Sequence, residues 1–326
     1  MNPENPLTRI VDYLRISITD RCNERCLYCM PEGFSDWKLR EEILTYEEIL
    51  AAAETAVGLG FRKFRVTGGE PLVRKDAEHF VADLIALPGV EQVGLSTNAT
   101  RLAPIARHLA EAGLRSVNIS LDALDPAIYS RITGGKLEQV MAGIDAALEA
   151  GIPVVKLNAV LMRGVNEHQI WPLAQFAAEK GLILRFIELM PVSLTEMLDE
   201  SNFLPAGEAK QIMASHTPMI VDDHHYGNGP AQYFRLPELD SSVGFIGAMT
   251  NLHFCEACNK IRLTADGKIR PCLGNHGEFD LKPALRPEIN PALLREIFLA
   301  SLREKPPEHQ FRNQYQPGRI MTAIGG

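Results

Sequence analysis

The chain has 326 residues, of which 46% are hydrophobic and 23% charged: enough apolar material for a sizeable core, and a composition that excludes disorder or a collagen-like repeat. A formal net charge of -8 argues against generic nucleic-acid binding through a basic surface, so an anionic ligand must find a local basic pocket. No apolar run approaches the ~18 residues a membrane helix needs, and the opening Met1-Asn2-Pro3-Glu4-Asn5-Pro6 has no mark of a signal sequence, so a cytoplasmic protein without membrane contact is expected.

In chain order, six apolar segments rich in Val, Ile, Leu and Phe read as strands: 11–19, 61–67, 92–97, 116–121, 154–161 and 183–190. Each of the first five precedes helical sequence, the signature of βα units around a parallel sheet. The first helix is predicted over 45–57, opened by the capping box Thr45-x-x-Glu48, with Ile49, Ala53, Ala56 and Val57 inward and Gly58 and Gly60 able to end it. Later helices carry the same stripe and stop, with Phe80, Leu84 and Leu87 before Pro88-Gly89, and Val140, Ile144 and Leu148 before Gly151. Six βα units are too few for a closed eightfold barrel, so the expected class is α/β, a partial (βα)6 TIM-like barrel with ligands at the C-terminal ends of its strands. A doubly wound sheet is the alternative.

From about residue 216 the texture changes to loop sequence around His224-His225 and short β-like pieces. The expected division is a barrel over 1–220 and a C-terminal α+β domain over 221–326; this second part carries Cys255, Cys258 and Cys272, and thiols so clustered make an iron-sulfur domain the expectation. Within the latter, 261–264 and 268–273 read as a hairpin turned through Ala265-Asp266-Gly267, which brings Cys272 back towards Cys258.

All six cysteines fall in two clusters, Cys22, Cys26 and Cys29, and Cys255, Cys258 and Cys272. Cytosolic thiols are kept reduced, so such clustering argues for metal ligation over disulfides. A structural zinc takes four protein ligands, whereas a triad leaves a metal with an open position; iron-sulfur clusters are held by thiolates. For Cys22, Cys26 and Cys29 the competing reading is a zinc knuckle or stray core thiols. Of the other polar positions, Gly68-Gly69 also suits a tight turn, Met190 a core methionine, and any single cation a solvated surface charge.

Cys22-x3-Cys26-x2-Cys29, with Tyr28 before the last cysteine, resembles the radical S-adenosylmethionine superfamily. The resemblance implies a [4Fe-4S] cluster whose free iron chelates the amino and carboxylate groups of S-adenosylmethionine, with electron transfer releasing a 5′-deoxyadenosyl radical. It also implies that Gly69 and Glu70 of Thr67-Gly68-Gly69-Glu70-Pro71, together with Ser120 and Met190, contact S-adenosylmethionine.

A narrower resemblance, to the GTP 3′,8-cyclase family of molybdenum cofactor biosynthesis, rests on the stretch from Arg9 to Arg15, on Phe254 to Leu273 around Cys255-x2-Cys258-x13-Cys272, and on Ile324-Gly325-Gly326. It implies two [4Fe-4S] clusters, the second contacting the guanine of GTP. Arg15, Arg65, Ser96, Lys156, Lys260, Ile261 and Arg262 are the implied GTP contacts, and Gly325 and Gly326 aid catalysis beside the first triad. The radical would abstract the ribose 3′ hydrogen, after which the carbon radical attacks guanine C8. An external one-electron reductant and a downstream cyclic pyranopterin monophosphate synthase are the implied partners, with the protein a monomer or homodimer. Bottom-up chemistry agrees on the substrate class, since a triphosphate needs several cations and Lys260 and Arg262 alternate on one strand face. Two departures stand out: Lys260 where the family often has Arg, and Thr97-Asn98-Ala99 where it commonly has Thr-Asn-Gly. A different radical enzyme with an auxiliary cluster, or a non-enzymatic iron-sulfur electron carrier, are the alternatives.

Overall fold

The computed structural model of the chain describes residues 9–325 apart from Glu196, Leu198, Glu200 and His225. The expectations that fall on Met1 to Pro6, on His225 and on Gly326 therefore lie outside the described residues. Six strands, β1 (Tyr13–Ser17), β2 (Lys63–Thr67), β3 (Gln92–Thr97), β4 (Ser116–Ser120), β5 (Val154–Leu161) and β6 (Ile183–Glu188), pair in parallel and in sequence order. A doubly wound sheet needs the order to reverse at a switch point, so the barrel-like reading holds and its alternative does not. Helices α1 (Tyr46–Gly58), α2 (Ala77–Ala86), α3 (Ala106–Glu111), α4 (Pro126–Thr133), α5 (Leu137–Glu149) and α6 (Ile170–Glu179) fill the crossovers, two of them between β4 and β5. The box predicted at the start of α1 forms, Glu48 N–H donating to Thr45 Oγ1 at 3.2 Å and Thr45 N–H to Glu48 Oε2 at 2.7 Å.

Alternation along each strand sends Leu14 and Ile16, Phe64 and Val66, Val117 and Ile119, and Leu157 to the outer face, where they join the buried helix stripes in one apolar core. The opposite face is left for polar residues. After helix α7 (Ala206–Ala214), the rest of the chain extends this same sheet at both edges. On the β6 side lie β7 (Ile220–Asp222), β8 (Gln232–Leu236) and β9 (Ser241–Ile246), with β9 parallel to β6. On the β1 side lie β10 (Lys260–Leu263), β11 (Lys268–Arg270) and β12 (Phe279–Asp280). Strand β10 runs parallel to β1, pairing Tyr13 with Lys260 and Arg15 with Arg262. The result is a single twelve-stranded sheet, and the division expected after residue 220 falls within β7. Helices α8 (Lys282–Leu285) and α9 (Pro291–Arg303) follow, and Phe298 of α9 meets Phe61 edge-on with ring centroids 6.4 Å apart.

The β10–β11 hairpin turns as its sequence predicts, with Arg262 opposite Arg270 and Gly267 at φ +84°. The predicted C-terminal ends of β2, β3 and β5 match, whereas those of β1, β4 and β6 are too long. Strand β1 stops at Ser17 and β6 at Glu188, so Met190 lies beyond its strand.

An ion-pair chain fastens the last residues to this hairpin. Arg319 donates to both carboxylate oxygens of Asp266, at 3.0 and 2.9 Å, and to Glu278 at 2.7 Å, while Glu278 also accepts from buried Arg270 at 2.6 Å. Burial would raise the Asp266 carboxyl, but the Thr264 hydroxyl and Arg319 hold it below its usual range. A depressed carboxyl contributes stability that is full above its unfolded pKa, so this contribution starts to fade below about pH 4 and is lost as pH falls through the lower folded value. Arg319→Ala is expected to cost about 2 kcal/mol, lowering the melting temperature by about 3–6 °C at pH 7 with a smaller deficit at pH 3.5; a calorimetric scan at the two pH values checks it.

Candidate active site

The inward strand faces line one cavity of about 420 Å³. Its upper end is the C-terminal mouth of the barrel strands, and there the chain leaving β1 forms the loop that carries Cys22, Cys26 and Cys29, all three on the cavity wall. Gly68 and Gly69, which suit a tight turn by sequence, are closely approached by other backbone. What approaches them is the cysteine loop itself. A Cβ on Gly69 would stand 2.3 Å from the Arg21 carbonyl oxygen, and Gly69 and Glu70 donate their N–H groups to Thr19 O and Arg21 O at 2.8 and 2.9 Å. The two glycines therefore seat the first triad against β2.

Glu70 is buried and accepts from Leu72 N–H, Thr97 Oγ1 and Asn98 N–H at 3.0, 2.7 and 2.7 Å. Burial pushes its carboxyl up to about 7 despite those bonds, leaving a carboxylate poised for a cationic partner. Tyr28 donates to Asp122 at 2.9 Å, and burial raises Asp122 to about 6. Ser120 and Met190 also line this end, with Met190 packed near Val192 and Phe311. Ala99, the departure from the family pattern, sits at φ +61°, in the region a glycine enters without strain. The difference falls at a buried turn next to Asn98, and Ala99 itself does not line the cavity.

The second triad occupies the other end. Because β10 is parallel to β1, Cys258 comes just before the start of the barrel strands, whereas Cys22 comes just after their finish. Cys272 returns to the same end through the antiparallel β11. A five-residue strand rises roughly 16 Å, so the triads face each other across about the length of a nucleotide.

Between them stand the cations. Arg15, Arg65, Lys156, Lys260 and Arg262 all reach the cavity, as does Ser96, whereas Ile261 is fully buried in the apolar core with its side chain on the opposite face, as alternation requires. Arg65 is held by Tyr13 Oη at 2.7 Å, Leu95 O at 2.8 Å and Ser116 Oγ at 3.0 Å. Lys260 donates to Asn228 O at 3.2 Å and Lys156 to Tyr226 O, so the segment after β7 closes the lower end. Burial, reinforced by neighbouring cations, lowers Lys156 to about 7, Lys260 to about 8, Arg15 to about 9 and Arg262 to about 10. Such a set is strained by its own charge and suited to a polyanion.

Two further residues escaped the sequence reading. Arg185 of β6 is buried, with Nε and Nη2 lacking a hydrogen-bond partner among the described residues; an arginine inside Ile183-Leu184-Arg185-Phe186-Ile187 was the available signal. Glu188, fully buried, accepts from Ala206 N–H at 2.8 Å and from Met249 N–H at 2.7 Å, tying β6 to the segment that leads into the second triad. The last residues also enter the cavity region. Gly325 sits at φ +70°, a Cβ there would be 2.9 Å from Ser17 Cβ, and its carbonyl accepts from Arg262 Nη1 at 2.5 Å.

The thiols suit iron-sulfur clusters. All six are free. Among the described residues, no three His, Cys, Asp or Glu side chains are placed to hold a single metal ion; thiolates on a cluster bind different irons and need no common point. Burial raises Cys22 and Cys29 to about 12 and raises Cys26, Cys255 and Cys272 as well. At Cys258 the same burial is outweighed by Lys305 and then Lys260, which hold this thiol below its usual value.

Residues 16–177 match the Radical SAM superfamily and residues 182–311 match Molybdenum Cofactor Synthesis C. Streptococcus suis SuiB superposes with a TM-score of 0.64 at 14% identity over 93% of this chain and 68% of that one. SuiB bound to S-adenosylmethionine gives 0.62 at 14% identity, over 95% and 77%. These neighbours are alike in fold. The class comes from the family matches: with the first triad at the barrel mouth, they define a radical S-adenosylmethionine enzyme with iron-sulfur chemistry. The GTP 3′,8-cyclase of Moorella thermoacetica is 46% identical over 99% of this chain and 100% of its own length, and that of Pelotomaculum thermopropionicum 41% over 98% of each. The chain belongs to the GTP 3′,8-cyclase family. Among the described residues, no helix is long and apolar enough to cross a membrane.

Lys156 offers a test of the crowded charge. Below pH 7 the lysine is protonated folded and unfolded, and burying the charge costs stability in full. Between about 7 and the unfolded value near 10.4 the unfolded chain binds more protons, so that cost fades as pH rises. In ligand-free protein Lys156→Met is expected to raise the melting temperature at pH 6.5, with the gain shrinking by pH 9. An equal or growing gain would contradict the assignment.

Proposed function

We propose that the protein converts GTP to (8S)-3′,8-cyclo-7,8-dihydroguanosine 5′-triphosphate, the first step of molybdenum cofactor biosynthesis, using S-adenosylmethionine and two [4Fe-4S] clusters. The observation that carries the proposal is the single cavity with a cysteine triad at each end and buried cations between. Cys22, Cys26 and Cys29 hold the first cluster and Cys255, Cys258 and Cys272 the second. When bound, the first cluster supplies the electron that splits S-adenosylmethionine into methionine and a 5′-deoxyadenosyl radical.

The protein's own work is placement. Glu70 accepts from the methionine ammonium, whose charge draws the carboxyl back to its ionised form, while Gly69, Ser120, Met190 and Tyr28 shape the rest of that subsite. Arg15, Arg65, Lys156, Lys260, Arg262 and the added Arg185 hold the triphosphate, with Ser96 and the backbone at Ile261 beside it. Lys260 contributes charge without the bidentate fork of an arginine. The base is left for the second triad's end. Gly325 closes the first triad's side, the resemblance gives Gly326 a part in catalysis, and holding both reactants in place is worth several kcal/mol of barrier. The enzyme works in the cytoplasm, takes electrons from an external one-electron donor and releases its product to a cyclic pyranopterin monophosphate synthase.

The double variant Arg65→Ala, Arg262→Ala removes two of the cations. GTP affinity of the anaerobic holoenzyme, measured by equilibrium dialysis, is expected to fall at least 100-fold, with S-adenosylmethionine affinity within threefold of the parent. Unchanged GTP affinity would overturn the placement of the substrate.

A further inference from the structure

Lys305 follows the last turn of α9 and is 3% exposed. A lysine is almost never buried so far without an ionic partner. Here the partners among the described residues are Pro271 O at 2.8 Å, Lys260 O at 2.9 Å and Cys258 Sγ at 3.5 Å, with no carboxylate among them. These three use all the protons of the ammonium.

Their positions in the chain give the contact its meaning. Lys260 follows Cys258 by two residues and Pro271 directly precedes Cys272, so one ammonium holds the two arms of the hairpin that carry two of the three thiols. The neighbouring thiol is held differently: Cys255 Sγ accepts from the His309 backbone N–H at 3.4 Å, and Arg9 donates to Cys255 O. Lys305 is thus the one side-chain cation hydrogen-bonded to a cysteine sulfur of this triad among the described residues. A buried positive charge with only neutral partners is compensated when the sulfur beside it is a thiolate.

Resting on the reading that the second triad holds a cluster, we infer that Lys305 is a positioning residue for that cluster: it fixes Cys258 against Cys272 and, through its charge, makes the cluster easier to reduce. A cation and a hydrogen bond at a ligand sulfur favour the more negative, reduced state. Loss of the charge should therefore lower the reduction potential.

The test uses the full chain with Cys22, Cys26 and Cys29 replaced by Ser, so that any iron-sulfur signal belongs to the second triad. Lys305→Met removes charge and donors, and Lys305→Gln keeps a donor without charge and covers the case in which the first does not fold. After anaerobic reconstitution, iron content and an EPR-monitored redox titration are read. The neutral variants are expected either to lose the cluster while the parent keeps it, with apoprotein melting within 2 °C of the parent, or to retain it with the one-electron reduction equilibrium at least tenfold less favourable, a shift of 59 mV to lower potential. A neutral variant with a full cluster at the parent's potential overturns the role of Lys305. A parent that binds no iron overturns the second cluster itself, and with it the inference.

Discussion

Strand β1 is hydrogen-bonded to β2 on one side and to β10 on the other, and the second pairing joins two parts of the chain that each carry one cysteine triad. Its parallel sense decides the geometry. With Tyr13 beside Lys260 and Arg15 beside Arg262, the first triad emerges past the end of β1 and the second lies before its beginning. An antiparallel β10 would have brought both triads to one mouth, leaving no length of barrel for a substrate between them. The capped lower end, the seating of the tail and the clamp at Lys305 all depend on where β10 lies.

The second constraint is electrostatic. The protein is acidic overall, yet its barrel interior gathers arginines and lysines whose ordinary charge is opposed by burial and by one another. Tyr13 shows the field directly: burial would raise its hydroxyl, but Arg65, Arg15 and Lys260 together bring it below its usual value. Such a cluster destabilises the empty protein and is relieved by an anion, so stability is lost where binding is gained. A cationic interior in a chain of net charge -8 suits a polyanion at that one place.

Much of this was legible in the residues because it is local. Period-two alternation separates Leu14 and Ile16 from Arg15, the turn chemistry of Ala265-Asp266-Gly267 predicts the hairpin, and the cysteine spacing marks both triads. What stayed hidden is long-range. Nothing local tells β10 to join β1, so the sequence does not show that the C-terminal part, which has a family match of its own, extends the barrel's sheet at both edges. Arg185 and Lys305 look like ordinary charges until a strand face and a helix end carry them inside. The purpose of Gly68-Gly69 was hidden for the same reason, because the group they admit comes from the loop at Thr19 to Arg21. Strand ends were overdrawn where apolar residues such as Ile18 continue along a neighbour after regular pairing ends, Ile18 N–H still reaching Thr67 O at 2.9 Å.

If one cavity places a nucleotide between the two triads, the carbon nearest the radical source must be on the ribose of GTP. An anaerobic single turnover with dithionite, S-adenosylmethionine and GTP deuterated at the ribose 3′ position measures this, with the 5′-deoxyadenosine product read by mass. Deuterium in that product is the predicted result. Deoxyadenosine formed without deuterium would keep the radical chemistry and contradict the placement of GTP.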